Sequence, residues 1–291
     1  MESIKVLRQK TVLQLYKEVF PVLRNEKTSL FLIGASTKDL TSLRNKLRIE
    51  LEKSSYFDKR FDIYYPEDIF TDLLYSGKTD LLTLENLLAK SVHVVVICLE
   101  SQGSIAELGV FVNHPSLYKK LVVVVDDRFR KANSFIRKGP IKFLEKANPN
   151  PIIWYDFKNG VIEDLTKKTR TTINKVAKNN TVSKDLTNII VAEDFILLVI
   201  YTLGPLSEQD LISYIKNMKS LDINEAETIC KSVLGKLFKI KEVFLETNEY
   251  SLTKKGLGRL LNSLPQKNRC NIMETIDELR VTYLNCFLRK C

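Results

Sequence analysis

The segment from Glu100 to Gly109 combines carboxylates, hydroxyls and glycines in a pattern that could perform chemistry. It directly follows the most apolar run of the chain, residues 92–99. Gly103 permits a tight backbone, and Ser104 is predicted to open a helix. A carboxylate beside a helix N-terminus is held in its ionised form, as a nucleophile must be. The pattern therefore indicates Glu107 as a candidate nucleophile.

The same segment also fits a purely structural role. Ser104 and Glu107 have the spacing of a capping box, in which the Glu107 carboxylate accepts a hydrogen bond from the Ser104 N–H. That alternative gives no task to Glu100 or Gly109. Both interpretations stay open at this stage.

Further polar groups lie next to other predicted strands. Glu85 lies in the helix before the apolar run, where an ordinary surface glutamate is the alternative. A Tyr-Pro-Glu-Asp string begins at Tyr65, after the second strand, and also resembles a simple helix start. The Gly-Ala-Ser-Thr turn at Gly34 could hold ribose or phosphate at a helix N-terminus. The candidate substrate-binding positions are Gly34, Ser36, Tyr65, Pro66, Glu67, Asp68, Glu100, Ser101 and Ser104.

Several chemistries lack their residues in this sequence. The chain has no phosphate-binding loop of the GxxxxGK[ST] type and no complete glycine-rich dinucleotide fingerprint. It has two histidines and five cysteines, and the cysteines form no C-x-x-C pair, so we expect neither a metal site nor a bound cofactor. His93 is predicted to be a core residue, and His114 is predicted to cap a helix C-terminus.

Apolar, β-branched runs alternate with helical periodicity over the first 155 residues. Predicted strands cover residues 29–33, 61–65, 92–99, 121–125 and 152–155. Strands that alternate with helices predict an α/β fold with a parallel sheet covered on both faces. Ligands bind such sheets beyond the carboxyl ends of the strands, where the polar segments above lie.

A polar stretch rich in lysine, threonine and asparagine separates the two halves of the chain. We predict a first domain over residues 1–180 and a second over 181–291. The second half has an apolar helix over 189–203, a helix capped by Ser207, a helix capped by Asn224, a hairpin and a last helix over 267–287. Three helices followed by a hairpin is the order of elements in a winged helix-turn-helix domain.

Positive charge is concentrated in the first domain. The net charge is +10, and the residues before Val176 carry +8 of it. A basic surface indicates a polyanionic partner such as nucleic acid, although a merely solvated surface is the alternative. The candidate contact residues are Arg128, Arg130, Lys131, Arg137, Lys138, Lys231 and Lys236.

At these residues the chain resembles the nucleoside deoxyribosyltransferase superfamily. That family has a flavodoxin-like parallel sheet, and its nucleophile is a glutamate in a Gly-x-x-x-Glu-Leu-Gly string, which here contains Glu107. A second acid in the preceding helix binds the sugar hydroxyls, and Glu85 falls there. The resemblance therefore implies that Glu107 and Glu85 are catalytic. Ser101 occupies a position that is often acidic in the family, and Glu100 lies one residue earlier, a departure from the classical transferase pattern.

The similarity is closer to one subgroup, the deoxyribosyltransferase-like effectors of bacterial retrons. It rests on the string from Tyr65 to Phe70, the Leu84-Glu85-Asn86 element, the Glu107 segment, residues 134–140 and residues 182–185 before the second domain. The resemblance implies an anti-phage toxin encoded beside a reverse transcriptase and its RNA–DNA hybrid (msDNA). That complex would restrain the effector until infection, after which it would destroy NAD or a related nucleotide. A homo-oligomer or filament also stays open.

Cleavage of a ribosyl C–N bond passes through an oxocarbenium-like state, which an ionised carboxylate beneath C1′ can stabilise or trap. Nicotinamide leaves NAD without protonation because its ring is already cationic, whereas purines need a general acid. No histidine is expected near the candidate site, which favours NAD as the substrate.

The sequence also predicts a cytoplasmic protein without a membrane segment, because it has no signal peptide and no apolar run of about 18 residues. Two other functions remain open. The chain could be a transcription regulator that senses a nucleotide, or a metabolic deoxyribosyltransferase.

Overall fold

The computed structural model describes residues 2–23, 27–36, 38–53, 60–70, 80–147 and 151–289. The chain forms two compact units, and each unit combines segments that are distant in sequence. One unit comprises Lys27–Tyr65 and Leu88–Val182 and is called the sheet unit below. The other comprises Met1–Glu26, Pro66–Leu87 and Ser183–Cys291 and is called the helical unit.

The sheet unit contains a five-stranded parallel sheet. Its strands are β1 (Thr28–Ile33), β2 (Phe61–Tyr64), β3 (Val94–Cys98), β4 (Leu121–Asp126) and β5 (Ile152–Tyr155). They lie in the order β2-β1-β3-β4-β5, which is the order of flavodoxin-like folds. All five strands were predicted from the sequence, as was the α/β fold class.

The sheet is buried on both faces, as the continuous apolar runs predict. Every residue of β3 and β4 is buried. The helices of this unit are α2 (Leu43–Glu52), α5 (Gln102–Asn113), α6 (Lys142–Ala147) and α7 (Ile162–Lys178). Leu47 of α2 and Leu165 of α7 share one core cluster with alternate residues of the central strands, such as Val94 and Val96.

The helical unit has a core formed by α8 (Ile189–Leu203), which is buried over almost its whole length. Its other elements are α1 (Glu2–Gln14), α3 (Pro66–Ile69), α9 (Glu208–Lys219), α10 (Ile223–Lys239), α11 (Lys254–Ser263), α12 (Arg269–Leu288) and an antiparallel hairpin of β6 (Val243–Glu246) and β7 (Glu249–Leu252). One further helix, α4 (Leu81–Ser91), passes from this unit into the sheet unit at Leu87.

The helices and the hairpin of the C-terminal segment occur in the predicted order, and one further helix, α11, lies between the hairpin and the last helix. Ser207 caps α9 as predicted, since its side chain accepts from the Asp210 N–H. The cap of α10 was predicted at Asn224 but is Asp222, whose carboxylate accepts from the N–H groups of Asn224 and Glu225. Asp222 satisfies the first free N–H groups of the helix, which Asn224 cannot reach from inside it.

The two units differ from the two predicted domains, each of which was a single contiguous stretch of the chain. The chain passes from the sheet unit to the helical unit at Ser183, close to the predicted boundary at residue 180. However, the described residues 2–23, 66–70 and 80–87, which we assigned to the first domain, lie in the helical unit. Helix α1 packs against α12 there, and periodicity alone does not show which partner a helix packs against. Along the described part of the chain, no helix combines the length and apolar character that a membrane crossing requires.

Candidate active site

The carboxyl ends of β1 and β3 form the switch point of the sheet, where flavodoxin-like folds bind ligands. The two strands are neighbours, and their connections leave the sheet in opposite directions. Gly34 follows β1 and Glu100 follows β3 by two residues. The structure therefore brings together the two segments that the sequence placed at this edge.

The carboxylate of Glu100 occupies the N-terminus of α2. It accepts hydrogen bonds from the N–H groups of Ala35 (3.1 Å), Leu43 (2.5 Å) and Arg44 (2.9 Å). Leu43 is the first residue of α2, so Glu100 takes the place that an anionic ligand group takes at other helix N-termini. The binding of a substrate phosphate at the turn after β1 stays a prediction, as does a contact between Glu100 and the substrate. Either contact must coexist with these three hydrogen bonds.

The close approach of the Glu100 carboxylate to the turn after β1 requires a glycine at position 34. A Cβ at this position would lie 2.7 Å from the Glu100 Oε1 atom and 2.7 Å from the Arg44 Cβ atom. Ser36 is exposed, and its hydroxyl accepts from the Lys38 N–H. The turn after β1 is thus built around the Glu100 carboxylate.

Helix α5 begins three residues earlier than the capping-box alternative requires. Its N-cap is Ser101, whose side chain accepts from the Ser104 N–H, while the Ser104 hydroxyl accepts from the Ser101 N–H. The capping box therefore consists of Ser101 and Ser104. The alternative in which Glu107 caps Ser104 is wrong, because both lie inside a helix that is already capped.

Glu107 lies in the second turn of α5 and is partly buried. Ser104, Leu108 and Phe111 form the buried stripe of this helix, and Glu107 lies beside it. The helix dipole is strongest within the first turn, so it contributes little at this position, contrary to our expectation. The carboxylate is therefore positioned by a capped and packed helix, and its catalytic role stays a prediction.

The remaining candidates divide between the two units. Tyr65 is buried in the sheet unit, and the guanidinium groups of Arg44 and Arg48 lie 5.1 Å and 4.8 Å from its ring centroid. Pro66, Glu67, Asp68 and Glu85 belong to the helical unit.

Within the helical unit, Pro66 opens α3 and Glu67 is exposed. The Glu67 carbonyl accepts from the Lys239 ammonium at 3.3 Å. The Asp68 side chain lies outside the described residues. Glu85 is only 6% exposed, so it is not the ordinary surface glutamate of the structural alternative. A substrate contact of each of these residues stays a prediction.

The basic residues of the first domain lie around one edge of the sheet unit. Arg128 pairs with Asp126 (2.8 Å), and Arg137 pairs with Glu145 (2.9 Å). Arg130 lies 3.9 Å from Asp127, and both Lys131 and Lys138 are exposed. The two lysines and the exposed faces of the arginines give this edge its positive charge.

The two basic candidates of the helical unit have acidic partners inside it. Lys231 lies 2.5 Å from Glu227 and 3.6 Å from Glu208. Lys236 is bonded to the buried Glu193 at 2.6 Å, and only 15% of its side chain is exposed. This geometry favours a structural task for Lys236, and its contact with nucleic acid stays a prediction.

An apolar cavity at the carboxyl edge was missed by sequence reasoning. It has a volume of about 190 Å³ and lies where β4 and β5 end, next to α5. Trp154 and Phe129 contribute its aromatic wall. The available signal was the single tryptophan of the chain, which lies one residue before the end of β5. Among the described residues, no group of three or more His, Cys, Asp or Glu side chains could hold a metal ion.

Replacing Glu100 with Gln is expected to destabilise the protein by about 2 kcal/mol, the range of a hydrogen bond to a charged group. The amide NH₂ of the new glutamine would face a backbone N–H group that donates to the carboxylate in the wild type, and two donors cannot form a hydrogen bond. Denaturant unfolding measures the loss. The control is Glu163→Gln, which changes an exposed glutamate of the same unit. Equal stability of the two variants would show that the Glu100 bonds contribute little.

The chain is similar to one protein family and to two individual proteins, all described as retron proteins. The family described as STM3845 retron effector protein matches residues 40–244. The chain is 34% identical to the Escherichia coli protein named "Retron Ec86 putative ribosyltransferase/DNA-binding protein", over 96% of this chain and 91% of that one. It is 25% identical to the protein of the same description from retron Ec73 of Escherichia coli, over 75% of this chain and 74% of that one.

Proposed function

Because the chain belongs to the STM3845 retron effector family, we propose that it is a toxin that cleaves the N-glycosidic bond of a nucleotide. The proposed substrate is NAD, hydrolysed to nicotinamide and ADP-ribose. The names of the two relatives, which describe a ribosyltransferase, support chemistry at a ribosyl carbon. The observation that carries the proposal is Glu107, a partly buried carboxylate on the helix that follows the central strand and has no part in capping it.

In the proposed reaction the Glu107 carboxylate stabilises the cationic ribosyl C1′ or bonds to it. The C1′–N bond breaks, and its electron pair leaves with nicotinamide, which becomes neutral. Water then attacks C1′, its proton passes to solvent, and the carboxylate is released. A nucleophile of this kind must be ionised but needs no neighbouring base.

The absence of a histidine at Glu107 supports a cationic leaving group. The His93 Nδ1 atom accepts from the Ser29 N–H at 3.1 Å, and burial lowers the pKa of His93. His114 caps the opposite end of α5, about 10 Å along the helix axis from Glu107. Neither of the two histidines of the chain is placed to protonate a purine beside Glu107.

We further propose that a retron reverse transcriptase and its msDNA restrain this activity in the cytoplasm until infection. The proposed contacts are the basic edge of the sheet unit and the C-terminal helices and hairpin, interpreted as a winged helix-turn-helix domain. The description of the relatives as DNA-binding supports a nucleic-acid partner. A homo-oligomer or filament is compatible with this arrangement.

The decisive experiment incubates the protein, alone and with its reverse transcriptase and msDNA, with NAD or with deoxynucleosides plus a free base. Chromatography separates the products. We expect nicotinamide and ADP-ribose from NAD with the protein alone, and less with the partners. Base exchange between deoxynucleosides would instead indicate a metabolic deoxyribosyltransferase.

A nucleotide-sensing transcription regulator is the second candidate, favoured by the hairpin and by the DNA-binding description of the relatives. It predicts tight nucleotide binding without turnover and nanomolar, sequence-specific binding to a promoter fragment without a reverse transcriptase. Gel shifts at two salt concentrations separate the two candidates, because non-specific binding through phosphates weakens steeply with salt.

Replacing Glu85 with Ala is expected to lower kcat and raise KM, since the proposed role of this carboxylate is to bind the ribose hydroxyls. Because the variant loses one hydrogen-bonded charge, we expect kcat/KM to fall about tenfold or more. Steady-state kinetics with NAD measure it, and Glu85→Gln, which keeps hydrogen-bonding capacity, should lose less. Wild-type kinetics in Glu85→Ala would contradict the assignment.

A further inference from the structure

The apolar cavity of the sheet unit is suited to one flat ring system. Its volume of about 190 Å³ is below the roughly 300–1,000 Å³ of pockets that enclose a whole small ligand. Leu99, Val125, Ile136 and Ile141 supply aliphatic walls, and Phe129 and Trp154 supply aromatic ones. A cavity of this size and lining accepts part of a nucleotide, namely its base.

Guanidinium groups surround the aromatic wall. The Arg137 and Arg130 guanidinium carbons lie 5.4 Å and 5.8 Å from the centroid of the Trp154 ring. Arg128 lies 5.1 Å from the Phe129 centroid. Arginine and aromatic planes together are the surfaces on which nucleobases stack in proteins that bind unpaired bases.

The excess of positive charge around the cavity favours one of the two bases of a dinucleotide such as NAD over the other. From Asp126 to Ala147 the chain carries seven lysines and arginines and three acids. A cationic nicotinamide ring would be repelled here, whereas a neutral adenine would not. The polar side chains that line the cavity are Ser134 and Arg137, and both can donate a hydrogen bond to a ring nitrogen of adenine. The exposed Lys131 and Lys138 lie within two residues of the lining residues Phe129 and Arg137, and their charges favour the attached phosphate.

The cavity also adjoins the helix that carries the candidate nucleophile. Ile105 lines it, and Glu107 is two residues further along α5. Two residues correspond to about 200° around a helix, so the two side chains leave α5 on different sides. A dinucleotide with one base in the cavity must therefore pass the N-terminal turn of α5 to bring its other ribose to Glu107.

We propose that this cavity binds the adenine base of the nucleotide substrate and that Trp154 forms one of its walls. The proposal deepens the N-glycosidase function and rests on it for the identity of the dinucleotide. It assigns a binding role to Leu99, Ile105, Phe129, Ser134, Arg137 and Trp154.

The test uses the single tryptophan as its reporter. The full-length Glu107→Gln variant, in which turnover is blocked, is titrated with AMP, ribose 5-phosphate or nicotinamide mononucleotide. Trp154 fluorescence and calorimetry are both recorded. We expect saturable binding of AMP that changes the fluorescence. We expect no response to ribose 5-phosphate, which lacks a base. Nicotinamide mononucleotide, whose cationic base belongs at Glu107, should not displace bound AMP.

A matched pair of variants locates the binding. Ile105 and Val110 are both exposed on α5, to 40% and 37%, but only Ile105 lines the cavity. Introduced into the Glu107→Gln background, Ile105→Glu should weaken AMP binding at least tenfold, and Val110→Glu should leave it unchanged. Melting temperatures confirm that both variants are folded.

The outcomes separate this proposal from the function on which it rests. AMP binding that depends on Ile105, in a protein that leaves NAD intact, would support the cavity and refute the glycohydrolase. No AMP binding by either method, or equal binding by the two variants, would overturn the adenine site. Binding of single-stranded oligodeoxyadenylate without any binding of AMP would also overturn it and assign the cavity to nucleic acid.

Discussion

Replacing Glu107 with Gln is expected to lower NAD cleavage by a thousandfold or more, with little change in melting temperature. Gln keeps the size of the side chain but removes the negative charge that stabilises a cationic C1′, and loss of a nucleophile costs orders of magnitude. The fold should tolerate the change because Ser101 and Ser104 cap α5 without any contribution from Glu107.

Initial rates of nicotinamide release and a thermal melt measure the two effects on the same protein preparation. Glu163→Gln serves as the control for the loss of one carboxylate in the sheet unit, and it should retain wild-type rates. Full activity in Glu107→Gln would exclude this carboxylate as the nucleophile. A large drop in melting temperature would show that Glu107 has a structural task after all.

The sheet could be predicted from the sequence because its strands are unusually uniform. Residues 121–125 are all apolar and residues 122–125 are all valine, so neither a half-exposed strand nor a surface helix fits them. The switch point then follows from the fold class. Its residues were therefore predictable as a group, namely the segments that begin at Gly34 and at Glu100.

The tasks of individual polar residues at that edge were not predictable. Whether Ser101 or Ser104 caps α5 depends on where the backbone leaves the β conformation, and both serines fit the sequence pattern. Glu100 was interpreted as a substrate contact because sequence reasoning does not show that α2 presents its N–H groups to it. Local spacing specifies which residues are close along the chain but not which distant backbone groups reach them.

The same limit applies to charged residues in the helical unit. Lys236 was interpreted as a surface cation, but its partner Glu193 is 43 residues away in sequence and lies in the apolar helix α8. A carboxylate within such a helix signals a buried ionic group, because an unpaired charge there would be very costly. That signal was present in the sequence, although it does not identify the partner.

Glu193 and Asp194 are adjacent in α8, but their environments differ. The Glu193 carboxylate binds Lys236 (2.6 Å) and Arg259 (2.5 Å), whereas Asp194 lies 3.4 Å from Arg259, which also binds Glu242. Burial would raise the pKa of Glu193, but the two cations outweigh it and lower that pKa. Burial and the negative charge of Glu193 raise the pKa of Asp194 to about 6, although Arg259 opposes the shift.

We therefore expect opposite effects from neutralising the two neighbours at pH 7.5. Glu193→Gln leaves two partly buried cations without their shared carboxylate and should destabilise the protein by about 3 kcal/mol. Asp194→Asn removes a buried charge that the fold pairs poorly and should stabilise it by about 1–3 kcal/mol. Denaturant unfolding of the full-length protein measures both, with Glu246→Gln as a control on the exposed face of β6.

The pH dependence tests the cause of the Asp194 effect. A carboxyl group whose folded pKa is raised favours the fold most below its unfolded value of 3.8, and that advantage is lost as the pH rises to about 6. The gain from Asp194→Asn should therefore be complete above pH 6, shrink below it and vanish near pH 4, where the wild-type carboxyl is already protonated. Glu193, with its lowered pKa, contributes in the opposite sense, because its stabilisation is present above its unfolded value of 4.5 and is lost as the pH falls. A gain from Asp194→Asn that is equal at pH 4 and pH 7.5 would mean that packing, and not ionisation, separates the two neighbours.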